Sequence, residues 1–201
     1  MLSTIPLTAL VSLLDPPPPA PVVEAATGIE FRGMILVYLV LETDRFSEYD
    51  AISRMSEPKN YSAATQPVGR TVLCAELPAD PGDQWWSTPD DEFIPLMKSW
   101  LASVDLPIQC EGSRCHTRRL AHAYPVYSVG YEDRLASVDD RLRQLKGLVV
   151  FGRQGLFAHD NTHHAIAMAY AVDDCLAVDG TFDEARWARY REEFLEHTVE
   201  D

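Results

Sequence analysis

The nine residues "GMILVYLVL", Gly33 to Leu41, contain no charged side chain and alternate large aliphatic with β-branched residues. A run this short and this apolar suits a strand that is covered on both faces or lies at the centre of a sheet. The first half of the chain therefore has to be built around it. "AISRMSEP" and "RTVLCAEL" supply neighbouring strands, and "KNYSAATQPVG" between them is long for a tight hairpin and reads as a loop. Arg114 to Ala121 is a further strand, followed by the aromatic loop "AYPVYSVGY". Together these segments predict a mixed or antiparallel sheet.

Helices are marked by their ends. In Ser3-Thr4-Ile5-Pro6-Leu7 a short strand-like start is followed by Pro6, which opens a helix through Leu14. Asp15 and Pro16 to Pro19 form a stiff extended spacer, and "PVVEAATGI" is a helical piece ending near Gly28. Thr88 as N-cap, Pro89 at the first position and three acids in the first turn predict a helix over "TPDDEFIPLMKSWLASV", with Pro95 kinking it or delaying its start. "EDRLASVDDRLRQL" has the spacing of an amphipathic surface helix closed by Gly147, and "TFDEARWARYREEFLEHTVED" is a last one.

With 201 residues, 46% hydrophobic and 24% charged, the chain has the make-up of a soluble globular protein, one large domain or pieces of two. Its formal charge of -14 repels phosphate backbones and anionic lipid, so no nucleic acid partner is expected. "MLSTIPLTALVSLLD" has no basic leader, and no stretch reaches the roughly 18 apolar residues of a membrane span. A cytoplasmic protein follows as the expectation. Cys74, Cys110, Cys115 and Cys175 lack paired spacing and read as reduced thiols; Cys110, Cys115 and His116 offer three ligands without a fourth, and no metal is expected.

Chemistry concentrates in "GLVVFGRQGLFAHDNTHHAIAMAYAVDDCL", residues 147 to 176, a strand, a glycine-punctuated turn and a helix. The helix, starting near Thr162 or His163, aims its unpaired N–H groups and the positive end of its dipole at the turn, an arrangement that favours an anion. Gly152 and Gly155 admit a close backbone approach, Arg153 adds a planar cationic fork, and Asn161 is the natural cap. The same residues also suit a plain structural turn, with Arg153 meeting an acid. His159 and His163 stand four apart, but His159 precedes the helix and there is no HExxH.

The stretch "GRQGLFAHDNTHHAIAMA" resembles the carboxyl-terminal flavin-contacting motif, roughly GRxGxFxYxNxDxxxxxG, of FAD-dependent oxidoreductases of the amine oxidase and protoporphyrinogen oxidase superfamily, which UDP-galactopyranose mutase shares in altered form. "STIPL", "RGMILVYLVL", "SRMSEPKNYS", "GRTVLCAE", "AYPVYSVGYEDRL" and "GLVVFGRQGLF" fall in the family's order. The resemblance implies FAD contacts at Gly152, Arg153, Gly155, Phe157, Asn161, Thr162 and His163, and places Tyr124 and Tyr127 near the substrate side. His159 stands where the family has tyrosine and His163 where it has aspartate.

The family's GxGxxG strand has no counterpart in this sequence. The resemblance thus implies an α+β fold: a mixed or antiparallel substrate-domain sheet with flanking helices, plus the C-terminal strand–helix of an FAD-binding, Rossmann-like domain whose N-terminal half is missing. Residues 1–14 are then a residual FAD-domain segment, 20–146 the substrate domain, 147–178 the FAD-contacting strand–turn–helix and 179–201 a C-terminal helix. A separate chain carrying the other half, a small organic substrate and non-covalent FAD are the implied partners, the flavin accepting a hydride. A non-catalytic remnant without cofactor and a mutase-like flavin isomerase are the alternatives.

Overall fold

The computed structural model describes residues 1–47, 51–52, 54–62, 67–110 and 112–199. In chain order the elements are β1 (Leu2–Ser3), α1 (Leu7–Ser12), α2 (Ala20–Thr27), β2 (Glu30–Leu41), β3 (Ala51–Ile52), β4 (Met55–Ser56), α3 (Pro58–Tyr61), β5 (Thr71–Pro78), α4 (Phe93–Ser103), β6 (Ser113–Val126), α5 (Tyr131–Arg143), β7 (Val149–Val150), α6 (Gly152–Gly155), α7 (Thr162–Cys175) and α8 (Glu184–Phe194). They form a mixed α/β structure with one parallel and several antiparallel pairings. The chain divides into two compact units, residues 1–31 with 124–201, and residues 32–123.

The unit of residues 32–123 is organised on a sheet of order β3-β4-β5-β2-β6. The apolar run is its central strand, pairing antiparallel with β5 from Met34 opposite Pro78 to Leu41 opposite Thr71. Its burial is one-sided, however. Ile35, Val37, Leu39 and Leu41 are buried on one face, while Leu36, Tyr38 and Val40 on the other are half-buried. The period of two therefore operates inside a sequence that shows no polar alternation. α4 covers the buried face with Phe93, Met97 and Leu101, spaced four apart on one side of the helix.

Pro95 delays this helix: a 3-10 turn over Asp90–Glu92 precedes it and the α-helix begins at Phe93. Thr88 is not its cap. The Asp90 carboxylate instead accepts the Thr117 hydroxyl at 2.5 Å and its N–H at 3.1 Å, and the hydroxyl's bond is the main cause holding Asp90 below the ordinary carboxylate range. The expected single strand over "AISRMSEP" is the short pair β3 and β4, with Ser53 outside the described residues. Of the loop "KNYSAATQPVG", the first residues belong to the one-turn helix α3 and 63–66 lie outside the described residues. Glu57, only 2% exposed, ties this region down: its carboxylate accepts N–H groups of Phe46 and Ser47, the Thr71 hydroxyl and the Asn60 amide. Four donors make a buried acid tolerable.

Residues 1–31 and 124–201 carry α1, α2 and α5 to α8. α2 packs on α5, and α6 on α7, around Leu7, Leu10, Val11, Ile29, Val138, Leu142 and Phe157. Residues 20–31 and 124–146, which the sequence groups with the sheet, fold in this unit. β1 and β7 pair in parallel, Leu2 with Val149 and Ser3 with Val150. α8 adds Trp187 to a cluster with Val149, Ala171, Val172 and Cys175, and Arg191 grips Asp139 of α5 with two bonds of 2.9 and 3.0 Å. β6 takes in the first part of the aromatic loop, through Val126. α5 ends at Arg143 with Gln144 as its cap, so Gly147 belongs to the turn beyond the helix. The four cysteines are free thiols, and none of the helices among the described residues is long and apolar enough to cross a membrane.

Candidate functional site

β7 ends at Val150, and the chain turns at once through α6 toward α7. Gly152 is left-handed, with φ of +79°, a conformation that costs an L-residue about 1–2 kcal/mol. Gly155 sits in a tight place for a different reason: a Cβ there lies 3.0 Å from Val150 Cγ1 and 3.5 Å from the Ser3 carbonyl oxygen. The two glycines thus fold the turn back onto β1 and β7. Both are buried.

Arg153, between them, is the most unusual side chain in the unit. Its guanidinium carbon sits 4.5 Å from the centre of the Tyr124 ring, a cation–π arrangement. Its Nε and Nη2 are buried and donate no hydrogen bond. Buried polar atoms are nearly always paired, so two orphaned donors on one permanent cation call for an acceptor that the described residues do not supply. The alternative sequence reading, in which Arg153 meets a nearby acid, is not what the structure has.

α7 begins at Thr162 behind a complete capping box: the Asn161 side chain takes the His164 N–H, and His164 Nδ1 accepts the Asn161 N–H at 3.2 Å. Asn161 is therefore the cap, and its side chain is occupied by that role. Thr162 and His163 are exposed at the first turn. No acid lies within the first turn itself, and the buried Asp160 immediately precedes the cap.

Phe157 is placed differently from a ligand-facing aromatic. It is 2% exposed, with φ of +54°, and its ring packs edge-on against Phe31 at 5.0 Å and against Tyr127 at 5.7 Å. Tyr127 is a clamp on the same loop: its hydroxyl donates to the Phe157 carbonyl at 3.2 Å and accepts the His159 N–H at 2.9 Å. Burial pushes the Tyr127 hydroxyl above the usual tyrosine range, against the pull of the His159 N–H and the Arg153 charge. Tyr124 stacks edge-on with His159 at 5.5 Å and carries Arg153 on its face. Both tyrosines thus shape the turn. A cavity of about 440 Å³ lies behind it, lined by Leu7, Leu135, Leu142, Leu156, Met168 and Arg191 among others; Arg153 does not line it.

Sequence reasoning missed one cluster. Asp160, buried at 4% exposure, is met by His197 Nδ1 at 3.0 Å and His164 Nδ1 at 3.7 Å. The Asp160–His164 spacing of four was legible in "HDNTHH", but nothing in the sequence joins it to His197. His159 and His163, the pair that the sequence singles out, are both exposed.

No protein-family model matches the chain, and no curated protein does. Solved structures do. One is described as a "putative protoporphyrinogen oxidase" from Exiguobacterium sp. 255-15, at a TM-score of 0.56 and 19% identity over 98% of this chain and 41% of that one. Another is reduced UDP-galactopyranose mutase, at a TM-score of 0.57 and 14% identity over 77% of this chain and 35% of that one. The chain thus spans about two fifths or less of the length of these proteins. At such identities the likeness establishes the fold: the chain has the architecture of a portion of these two proteins.

Proposed function

We propose that the chain is the carboxyl-terminal portion of an FAD-dependent oxidoreductase of the amine oxidase and protoporphyrinogen oxidase type, and that the turn at Gly152–Gly155 with the amino terminus of α7 is its flavin contact. The observation that carries the reading is Arg153, whose buried Nε and Nη2 lack an acceptor among the described residues beside a glycine turn and the amino terminus of α7. An anionic group such as the FAD diphosphate fits that donor set, since Arg pairs with it through parallel N–H bonds. The fold likeness to two proteins whose names fall in the superfamily indicated by the motif supports it.

In this reading the Arg153 fork and the free N–H groups of the first turn of α7 bind the cofactor. Gly152 and Gly155 let the backbone approach, and Asn161 keeps the helix start rigid. Tyr127 holds residues 157–159 in place, and Tyr124 holds the Arg153 plane and faces a small organic substrate. Bound flavin supplies hydride acceptance; the residues of this chain position it and stabilise negative charge. The nucleotide half, with GxGxxG, comes from another chain or segment. Absorbance after incubation with FAD and desalting, on the chain completed by a GxGxxG-bearing nucleotide half, tests this: retained flavin with the wild type and less with Arg153→Ala supports it, and equal, measurable retention with both refutes the Arg153 assignment.

A second reading, a mutase-like rearrangement without net redox change, is favoured by the likeness to UDP-galactopyranose mutase. Substrate-dependent consumption of O2 or a dye by the completed assembly separates the two, because the mutase reading predicts none.

A further inference from the structure

The geometry points to a divalent transition-metal site formed by Asp160, His164 and His197: we propose that these side chains bind an ion of the Zn2+ class, independently of the flavin reading. Among the described residues this is the one group of three metal-capable side chains whose ligand atoms all lie within 4.8 Å of one another. Asp160 immediately precedes the cap of α7, His164 lies in its first turn, and His197 comes from the segment that follows α8. The two imidazole rings stack at 4.2 Å with 13° between their planes, and each has its Nδ1 near one oxygen of the buried carboxylate, His197 at 3.0 Å and His164 at 3.7 Å.

The hydrogen bonding around His164 gives the reason for a cation. Its Nδ1 accepts the Asn161 N–H, so that atom carries a lone pair. The same atom faces Asp160 Oδ1 at 3.7 Å, which places one acceptor opposite another beside a carboxylate that is 4% exposed. Acceptors facing each other in a buried site repel unless a positive charge lies between them. An ion held here takes one ligand atom from each imidazole and one from the carboxylate.

Two imidazole nitrogens and one carboxylate oxygen form a borderline donor set, which suits Zn2+ and its neighbours and is poor for Mg2+ or Ca2+, ions that prefer oxygen throughout. Three protein ligands leave a coordination position for water. Because His197 lies beyond α8, the ion ties the carboxyl-terminal segment to the start of α7. Binding to the folded chain alone raises its stability by mass action.

The test uses the untagged full chain, stripped with chelator and titrated with ZnCl2 by calorimetry and with CoCl2 by visible absorption. The proposal predicts one equivalent bound, Co2+ ligand-field bands without thiolate charge transfer, and a higher Tm with Zn2+. His197→Gln and His164→Gln each weaken binding at least tenfold while circular dichroism stays native. Binding that is unchanged in both variants, absent in the wild type, or accompanied by sulfur ligation in X-ray absorption overturns it. The X-ray absorption reading on wild-type protein keeps the proposal refutable if a variant fails to fold.

Discussion

Replacing Arg153 with methionine pushes stability and ligand binding in opposite directions. Methionine keeps the apolar stem and removes the cation, and with it the two buried donors, Nε and Nη2, that have no acceptor. Each unsatisfied buried donor costs about 1–3 kcal/mol, and more on a charged group. Against that stands the loss of the cation–π contact with Tyr124, about 0.5–2 kcal/mol. Two donors at that cost, less the cation–π contact, favour Arg153→Met in the ligand-free chain by about 0–5 kcal/mol, with Tm rising about 2–4 °C for each kcal/mol at this chain length. With FAD present the sign reverses. Two charge-assisted bonds at about 1.5–3 kcal/mol each are lost, a fall in affinity of roughly a hundredfold or more. Urea unfolding without ligand and flavin titration give the two halves. If Arg153→Met is destabilised by more than about 1 kcal/mol without ligand, the guanidinium is satisfied inside the protein and the reasoning about an absent anion fails.

Gly155→Val forces a side chain against Val150 and the Ser3 carbonyl and costs about 1–3 kcal/mol by overpacking; wild-type stability in denaturant refutes the close-approach argument. Tyr127→Phe removes both bonds that hold residues 157–159, at about 1 kcal/mol each. Because burial raises the Tyr127 pKa in the folded state, its contribution is complete below the unfolded value near 10 and fades as pH rises through the folded one. Tyr127→Phe therefore flattens the alkaline fall in stability, and parallel stability–pH curves for the two proteins contradict this. Glu57→Gln sets an amide N–H2 among four donors and lowers stability by about 3 kcal/mol, readable as an earlier urea midpoint; an unchanged midpoint rules out the network as a stabilising device.

Much of this was legible in sequence because local chemistry decided it. The helix of residues 162–175 announces itself through Asn161, and the 184–194 helix through its amphipathic spacing; its cap, Asp183, whose side chain accepts the Arg186 N–H, went unread. The central strand was legible from its apolar run, but its one-sided burial was not, since every position in it is apolar. Thr88 misled because Pro95 leaves the first turn to a 3-10 segment, and Asp90 then bonds to Thr117, a partner far along the chain. In the turn, glycines and Asn161 could be read from residue type. Phe157 could not, because whether an aromatic faces a ligand or the core depends on Phe31 and Tyr127, distant in sequence. The meeting of Asp160 with His197 is set by the docking of α8, which the Arg191–Asp139 pair helps to fix.

The central claim is that the Gly152–Gly155 turn and the start of α7 receive a flavin dinucleotide. Amide NMR shifts of the 15N-labelled chain titrated with FAD test it most directly. The account predicts saturable shifts concentrated at Gly152, Arg153, Gly155, Thr162 and His163, lost in Arg153→Met. Shifts confined to other regions, or none at these amides when FAD is in large excess, contradict it.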